Sequence, residues 1–272
     1  MIEPACAILY GLLLWWSSTA LIIYLDALPR SSFRWSMAGA TVVLAASLYG
    51  LAQTRGASTP AGAYAAFSCA VLAWGWTEMA FLMGFITGPR RSACLTGCRG
   101  PRHFVHAVQA ILYHELSIAA LAGAVWALTL SGSNRVGAWT FLVLWVMRVS
   151  AKMNLFLGVR NLQVELLPEH LRYLAGFFGR RPLNAVFPVS VTVSTVAAAF
   201  VWQQAASAAA GSYEASAYAL VATLLTLAII EHWMLVAPFS TEGLWRGGLH
   251  SRRRGENDID ITLRRDHAKT PG

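Results

Sequence analysis

Long apolar runs, separated by short breaks of charge, Gly or Pro, set the pattern of this chain. Seven runs are long enough to cross a membrane as helices, at approximately 5–26, 35–53, 62–87, 104–130, 136–158, 184–206 and 214–238. A hydrocarbon core of ~30 Å needs roughly 20 residues at a rise of about 1.5 Å each, which every run comes close to or exceeds. The pattern predicts an all-α polytopic membrane bundle of seven transmembrane helices, occupying residues 1–249. Residues 250–272 are polar and mixed in charge, which predicts a disordered basic tail. The second and sixth runs are rich in Ala, Gly, Ser and Thr, side chains that let helix backbones approach closely. Both are therefore expected inside the bundle.

Two shorter features qualify this pattern. The N-terminal stretch lacks a positive leader and its apolar run is too long for a signal-peptide core, so it reads as a retained first helix. Residues 165–178, ELLPEHLRYLAGFF, place a Pro near a helix start and set Leu and aromatic residues among charges. That predicts a short helix lying in the cytoplasmic interface, with a plain connecting loop as the alternative.

Basic residues orient the array. Of the 21 Lys and Arg residues, Arg55 and Arg135 fall in the loops after the second and fourth spans, and Arg148 lies inside the fifth. All the others fall on the opposite side: Arg30 and Arg34, the Arg90–Arg102 loop, the segment from Lys152 to Arg181, and the tail. The positive-inside rule then predicts a periplasmic N-terminus and a cytoplasmic C-terminus. Composition agrees with a lipid-embedded chain. It is 56% hydrophobic and 12% charged, with mean hydropathy +0.51, whereas a soluble domain carries about a quarter charged residues. The net charge of +8 is explained by this topology and is joined by no nucleic-acid-binding motif, so nucleic acid is not an expected partner. Anionic membrane lipid is.

Ionisable residues inside spans are costly, which makes them functional candidates. They are Glu78 in the third span, His114 and Glu115 in the fourth, Arg148 in the fifth, and Glu231 and His232 in the seventh. Counted from the span ends, at about 1.5 Å per residue, the five Glu and His residues are expected at similar depth in the cytoplasmic half. One reading is a metal centre drawn from Glu78, His114, Glu231 and His232, as in helical bundles whose inward Glu and His ligate metal. Against it, His114–Glu115 and Glu231–His232 are adjacent pairs, whose side chains diverge by about 100° on a helix. A second reading is a buried network in which Arg148 and Lys152, four residues apart on one face, neutralise Glu78, Glu115 or Glu231. A third is a pigment or proton pathway in which an imidazole ligates a chlorin magnesium.

The four cysteines, Cys6, Cys69, Cys94 and Cys98, form no disulfide framework, and the last two fall in an expected cytoplasmic loop where thiols stay reduced. With His103 and His106 they make a C-x3-C…H-x2-H cluster, whose spacing fits no common zinc motif and whose neighbouring arginines suit membrane anchoring. The 11 Trp residues fit interfacial belts. The chain has no G-x-S-x-G, Walker loop, G-x-G-x-x-G or H-E-x-x-H, so no standard soluble enzyme motif applies. No internal repeat supports an inverted-repeat transporter.

Three stretches carry a family resemblance: AKMNLFLGVRNLQVELLPEHLRYLAGFF after the fifth span, WTEMAFLMGFITGPRR before the first large cytoplasmic loop, and EHWMLVAPF at the end of the seventh span. They resemble the PuhE family of photosynthetic complex assembly proteins from purple and related phototrophic bacteria. The likeness covers nearly the whole chain up to about residue 250. It implies a multi-pass protein of the bacterial inner (intracytoplasmic) membrane. Its implied partners are reaction-centre and core light-harvesting antenna subunits, and its implied pigment link is to bacteriochlorophyll or a precursor. It carries over no catalytic residue. Three function classes follow as expectations, the third being a transporter or pigment carrier. The first is a non-enzymatic assembly factor. The second is a metal-dependent oxidoreductase of pigment metabolism, with iron as the metal, using Glu78, His114, Glu115, Glu231 and His232.

Overall fold

The computed structural model describes residues 2–94, 97–162, 164 and 167–238, and the expected tail at 250–272 lies outside them. Among the described residues the protein is all-helical, without β-strands. Seven helices run in chain order: α1 (Ile2–Asp26), α2 (Phe33–Thr54), α3 (Pro60–Leu82), α4 (Gly100–Thr129), α5 (Val136–Leu157), α6 (Val186–Ser207) and α7 (Tyr213–Met234). All seven are long and apolar enough to cross a membrane, so the chain is a multi-pass membrane protein.

The bundle is built around α3, which packs against α1, α2, α4, α5 and α7. Its main core joins Phe67, Val71 and Trp74 of α3 to Ile118, Leu121 and Val125 of α4, Phe141 of α5, and Leu220 and Leu224 of α7. This corrects the expectation that α2 and α6 lie inside. In the most apolar stretch of each helix, 61% of α3 is buried, against 11% of α2 and 22% of α6. The small residues of α2 serve one seam: a Cβ added at Gly50 would lie 2.6 Å from Cys69 Sγ on α3. The other faces of the outer helices carry exposed Val42, Val43 and Tyr49 on α2, and Val189, Val193 and Phe200 on α6, as suits lipid. Ala- and Gly-rich stretches in α3 itself are what allow so many neighbours to close on it.

The third span is shorter than its apolar run. The run continues to residue 87, yet α3 stops at Leu82, where Gly84 takes φ +79°. The amides of Met83, Gly84 and Ile86 turn back onto the carbonyls of Met79, Phe81 and Ala80, a glycine-dependent C-cap. The chain that follows lies directly on the backbone of α4. His114 N donates to Thr87 O at 2.9 Å and Arg90 N to Gln109 O at 3.4 Å. Gly88 permits this approach, since a Cβ there would run into Gln109 O and the Ala110 carbonyl. Non-helical backbone at membrane depth is tolerated where protein covers it and supplies its hydrogen bonds.

Within the 165–178 segment, the described helical part is a 3-10 helix, Glu169–Phe177. Its buried residues, Leu171, Leu174 and Phe177, recur every third position, which a helix of three residues per turn lines up on one face. That face packs onto Phe81 of α3 and Ala110 of α4 rather than standing free for lipid. His170 Nε2 donates to Leu82 O at 2.9 Å, which supplies a partner at the end of α3.

Asparagines tie both ends of the bundle. Asn134 Nδ2 donates to Thr54 O and Gly62 O, while its Oδ1 accepts from Val136 N and Tyr213 Oη, so one side chain joins α2, α3, α5 and α7. At the other end Asn184 Oδ1 accepts from Val186 N and Phe187 N at the start of α6, and its Nδ2 reaches Asn154 Oδ1 and Gly158 O. Asn161 Nδ2 donates to Met234 O and Ala237 O beyond α7.

The Gly88 contact gives a direct test of this packing. Gly88→Ala should destabilise the detergent-solubilised protein by about 1–3 kcal/mol or more, the range for overpacking. Gly39→Ala on α2, where an added Cβ meets nothing within 4 Å, should stay within about 0.5 kcal/mol of the parent. Equal melting temperatures for the two variants in detergent would refute the close approach.

Candidate functional site

Charged side chains from α3, α4, α5 and α7 meet inside the bundle. Arg148 of α5 donates through Nη2 to Glu78 Oε2 at 2.5 Å. One turn on, Lys152 of the same helix pairs with Glu115 of α4. The i, i+4 spacing of Arg148 and Lys152 puts both cations on one face of α5, and α3 and α4 each present a carboxylate to it. Lys152, grouped by sequence with the cytoplasmic segment that runs to Arg181, therefore belongs to the span itself. Glu78 and Glu115 are held at successive levels, about one helical turn apart. The sequence count of depth runs α3 on to residue 87, whereas the helix ends at Leu82.

Glu231 of α7 completes the set. It interacts electrostatically with Arg148 and Glu78 but belongs to neither ion pair among the described residues. Three carboxylates thus face two cations. Exposure grades across the network: Glu78 is 11% exposed at its side chain and Arg148 42%, while Glu231 is exposed. Glu78 is nearly sealed, and the network opens at the Arg148–Glu231 end.

The two histidines take separate roles. His232 is buried and fully partnered, since Nδ1 donates to Ala228 O at 2.8 Å and Nε2 accepts from Ser150 Oγ at 2.9 Å. That pairing fixes the Nδ1–H tautomer and uses both ring nitrogens. His114 has no exposure at all, and its ring lies 4.4 Å from that of Phe81. Both of its nitrogens lack a hydrogen-bond partner among the described residues. Adjacent residues do diverge here: Glu115 turns to Lys152 while His114 turns to Phe81, and Glu231 is exposed while His232 is buried.

These positions bear on the metal reading of Glu78, His114, Glu231 and His232. Glu78 is engaged by Arg148 and His232 by Ser150, and the four do not converge as ligands. The group of His, Cys, Asp and Glu whose ligand atoms do converge among the described residues lies elsewhere, at Cys94, Cys98 and His106. Sequence reasoning missed Ser150 as the partner of His232 and the asparagines that set helix registration. The signal available for the asparagines was polarity at or near span ends, which also fits ordinary loop residues.

Fold and site together define a multi-pass helical membrane protein with an intramembrane ion network centred on its third and fifth helices. The chain matches, over residues 1–256, the family described as "Protein of unknown function (DUF3623)", and it belongs to that family. It is 34% identical over 249 residues, 90% of each chain, to a Rhodobacter capsulatus protein described as "Uncharacterized 30.4 kDa protein in puhA 5'region". No solved structure matches the chain significantly.

The inner pair should be energetically coupled. A double-mutant cycle with Glu78→Ala and Arg148→Ala, read by unfolding in detergent, is expected to give about 0.5–2 kcal/mol, kept modest by the partial exposure of Arg148. Additivity within about 0.3 kcal/mol would show that the contact carries no energy.

Proposed function

We propose that this protein is an assembly factor for the photosynthetic apparatus, resident in the bacterial inner (intracytoplasmic) membrane. In this reading it holds an unassembled reaction-centre or core antenna polypeptide, or its bacteriochlorophyll, against the open end of the ion network. The observation that carries it is the surplus carboxylate. Glu231 is exposed, interacts electrostatically with Arg148 and makes no ion pair among the described residues. Exposed Ile230 and Trp233 flank it on α7, and exposed Val146 and Val149 flank Arg148 on α5. Lipid is a poor neighbour for such a pair, and a partner helix or pigment supplying a donor group is a good one. Support for the photosynthetic setting comes from the sequence resemblance to the PuhE family and from the description of the Rhodobacter capsulatus relative, which names the puhA 5' region.

The oxidoreductase alternative draws less support, because Glu78 and His232 already have partners that a metal would have to displace. The orientation that goes with the proposal has a periplasmic N-terminus and a cytoplasmic tail, as the distribution of Arg residues favours.

Two measurements test this. Purified in mild detergent from a phototrophic host, the protein should carry unassembled reaction-centre or antenna polypeptides, and Arg148→Gln with Glu231→Gln should reduce that yield about ten-fold, the equivalent of 1.4 kcal/mol. A deletion strain that accumulates one defined tetrapyrrole intermediate, with no co-purifying polypeptide, would favour the enzyme instead. For orientation, alkaline phosphatase fused after Arg55 or Arg135 should be active and a fusion after residue 250 inactive; the reverse pattern would invert the topology.

A further inference from the structure

The loop between α3 and α4 brings together residues that the ion network does not use. Cys94 Sγ lies 3.2 Å from His106 Nδ1, and Cys98 Sγ lies 3.4 Å from the same nitrogen. The three ligand atoms are all within 4.8 Å of one another. The local chain holds them there. Arg90 donates through Nε to Ser92 O and through Nη2 to Ala93 O, which orders the approach to Cys94. Gly97 takes φ +89° just before Cys98, a turn that suits glycine. Cys94 packs against the cluster of Phe81, Leu171 and Leu174, while His106 is fixed to the second turn of α4. All three side chains are half-buried.

Two thiols crowding one ring nitrogen is poor hydrogen bonding, because an imidazole nitrogen offers a single lone pair. It is good coordination geometry. A tetrahedral ion with sulfur at about 2.3 Å and nitrogen at about 2.0–2.1 Å separates S from N by roughly 3.5 Å. The observed 3.2 and 3.4 Å separations lie close to that. His103, the other histidine of the sequence cluster, is not a ligand, since its ring stacks against Phe156 at 5.5 Å and lies 5.6 Å from Phe177.

We propose that Cys94, Cys98 and His106 form a binding site for one thiophilic divalent metal ion of the zinc class, with no fourth protein ligand among the described residues. Thiolate and imidazole donors select such ions over magnesium or calcium. Three protein ligands and a free position are what catalytic and exchangeable zinc sites present, whereas purely structural sites close with a fourth ligand. Burial and the neighbouring Cys98 raise the Cys94 thiol pKa, and Arg90 and Arg102 act in the opposite sense. A bound cation relieves the repulsion between the two thiolates. The ion clips the loop that leaves α3 onto α4, eight residues and about 12 Å of helix before His114. Loop and ion network are thereby joined through α4. The site stands independently of the assembly role.

The test uses the full-length protein in mild detergent, reduced, without a histidine tag and titrated anaerobically with Co²⁺. About one equivalent should bind with thiolate-to-cobalt charge-transfer absorption and be displaced by Zn²⁺. Cys94→Ser, Cys98→Ser and His106→Gln should each weaken binding at least about ten-fold with helical content and elution unchanged. If a Cys variant does not fold, His106→Gln alone decides. Uptake below about 0.1 equivalent, or equal uptake by parent and variants, would overturn the site. So would a Cys94–Cys98 disulfide in protein isolated without oxidant, detected as two cysteines that alkylate after reduction but not after chelation of metal alone.

Discussion

A guanidinium inside a membrane span has to be matched by the protein, because lipid offers neither hydrogen bonds nor counter-charge. Arg148 meets that demand with Glu78, and the contact fixes how the central helix lies against α5. Lys152 and Glu115 repeat the device one turn away and bring in α4. Registration of three helices is thereby set by charges that tolerate little sliding, while an apolar core that includes Phe67, Trp74, Ile118 and Phe141 packs the same helices together. Replacing one partner leaves the other exposed to a medium that cannot solvate it, which makes the network more sensitive than its exposure alone suggests.

The same constraint explains the irregular parts. Where α3 ends early at Gly84, its backbone does not face lipid but lies on α4, with Gly88 making room. The 3-10 helix covers that junction with Leu171, Leu174 and Phe177. Asn134, Asn161 and Asn184 then satisfy backbone groups at helix ends. Polar side chains in this chain work mainly as partners for backbone and for each other, so the unmatched ones stand out. Among the described residues they include Glu231, outside both ion pairs, and His114, whose two nitrogens lack hydrogen-bond partners. The paired cysteines beside His106 stand out for a different reason, a geometry that one shared ion would satisfy.

Membrane-spanning helices were legible in the sequence because a lipid core imposes a length and an apolar content on each of them, and both are visible residue by residue. Which charges lie inside spans was legible for the same reason, and the spacing of Arg148 and Lys152 already implied a common face. Sequence could not say that α3 rather than α2 or α6 is central, since small residues permit close packing on any helix without stating against which neighbour. Nor could an apolar run reveal that α3 stops at Leu82: Phe85 and Ile86 remain apolar in a loop that packs against protein. Pairing Glu78 with Arg148, turning His232 to Ser150, and gathering Cys94, Cys98 and His106 onto one point each depend on helix rotation and chain reversal. Those are fixed by contacts distant in sequence, and only the tertiary structure decides them.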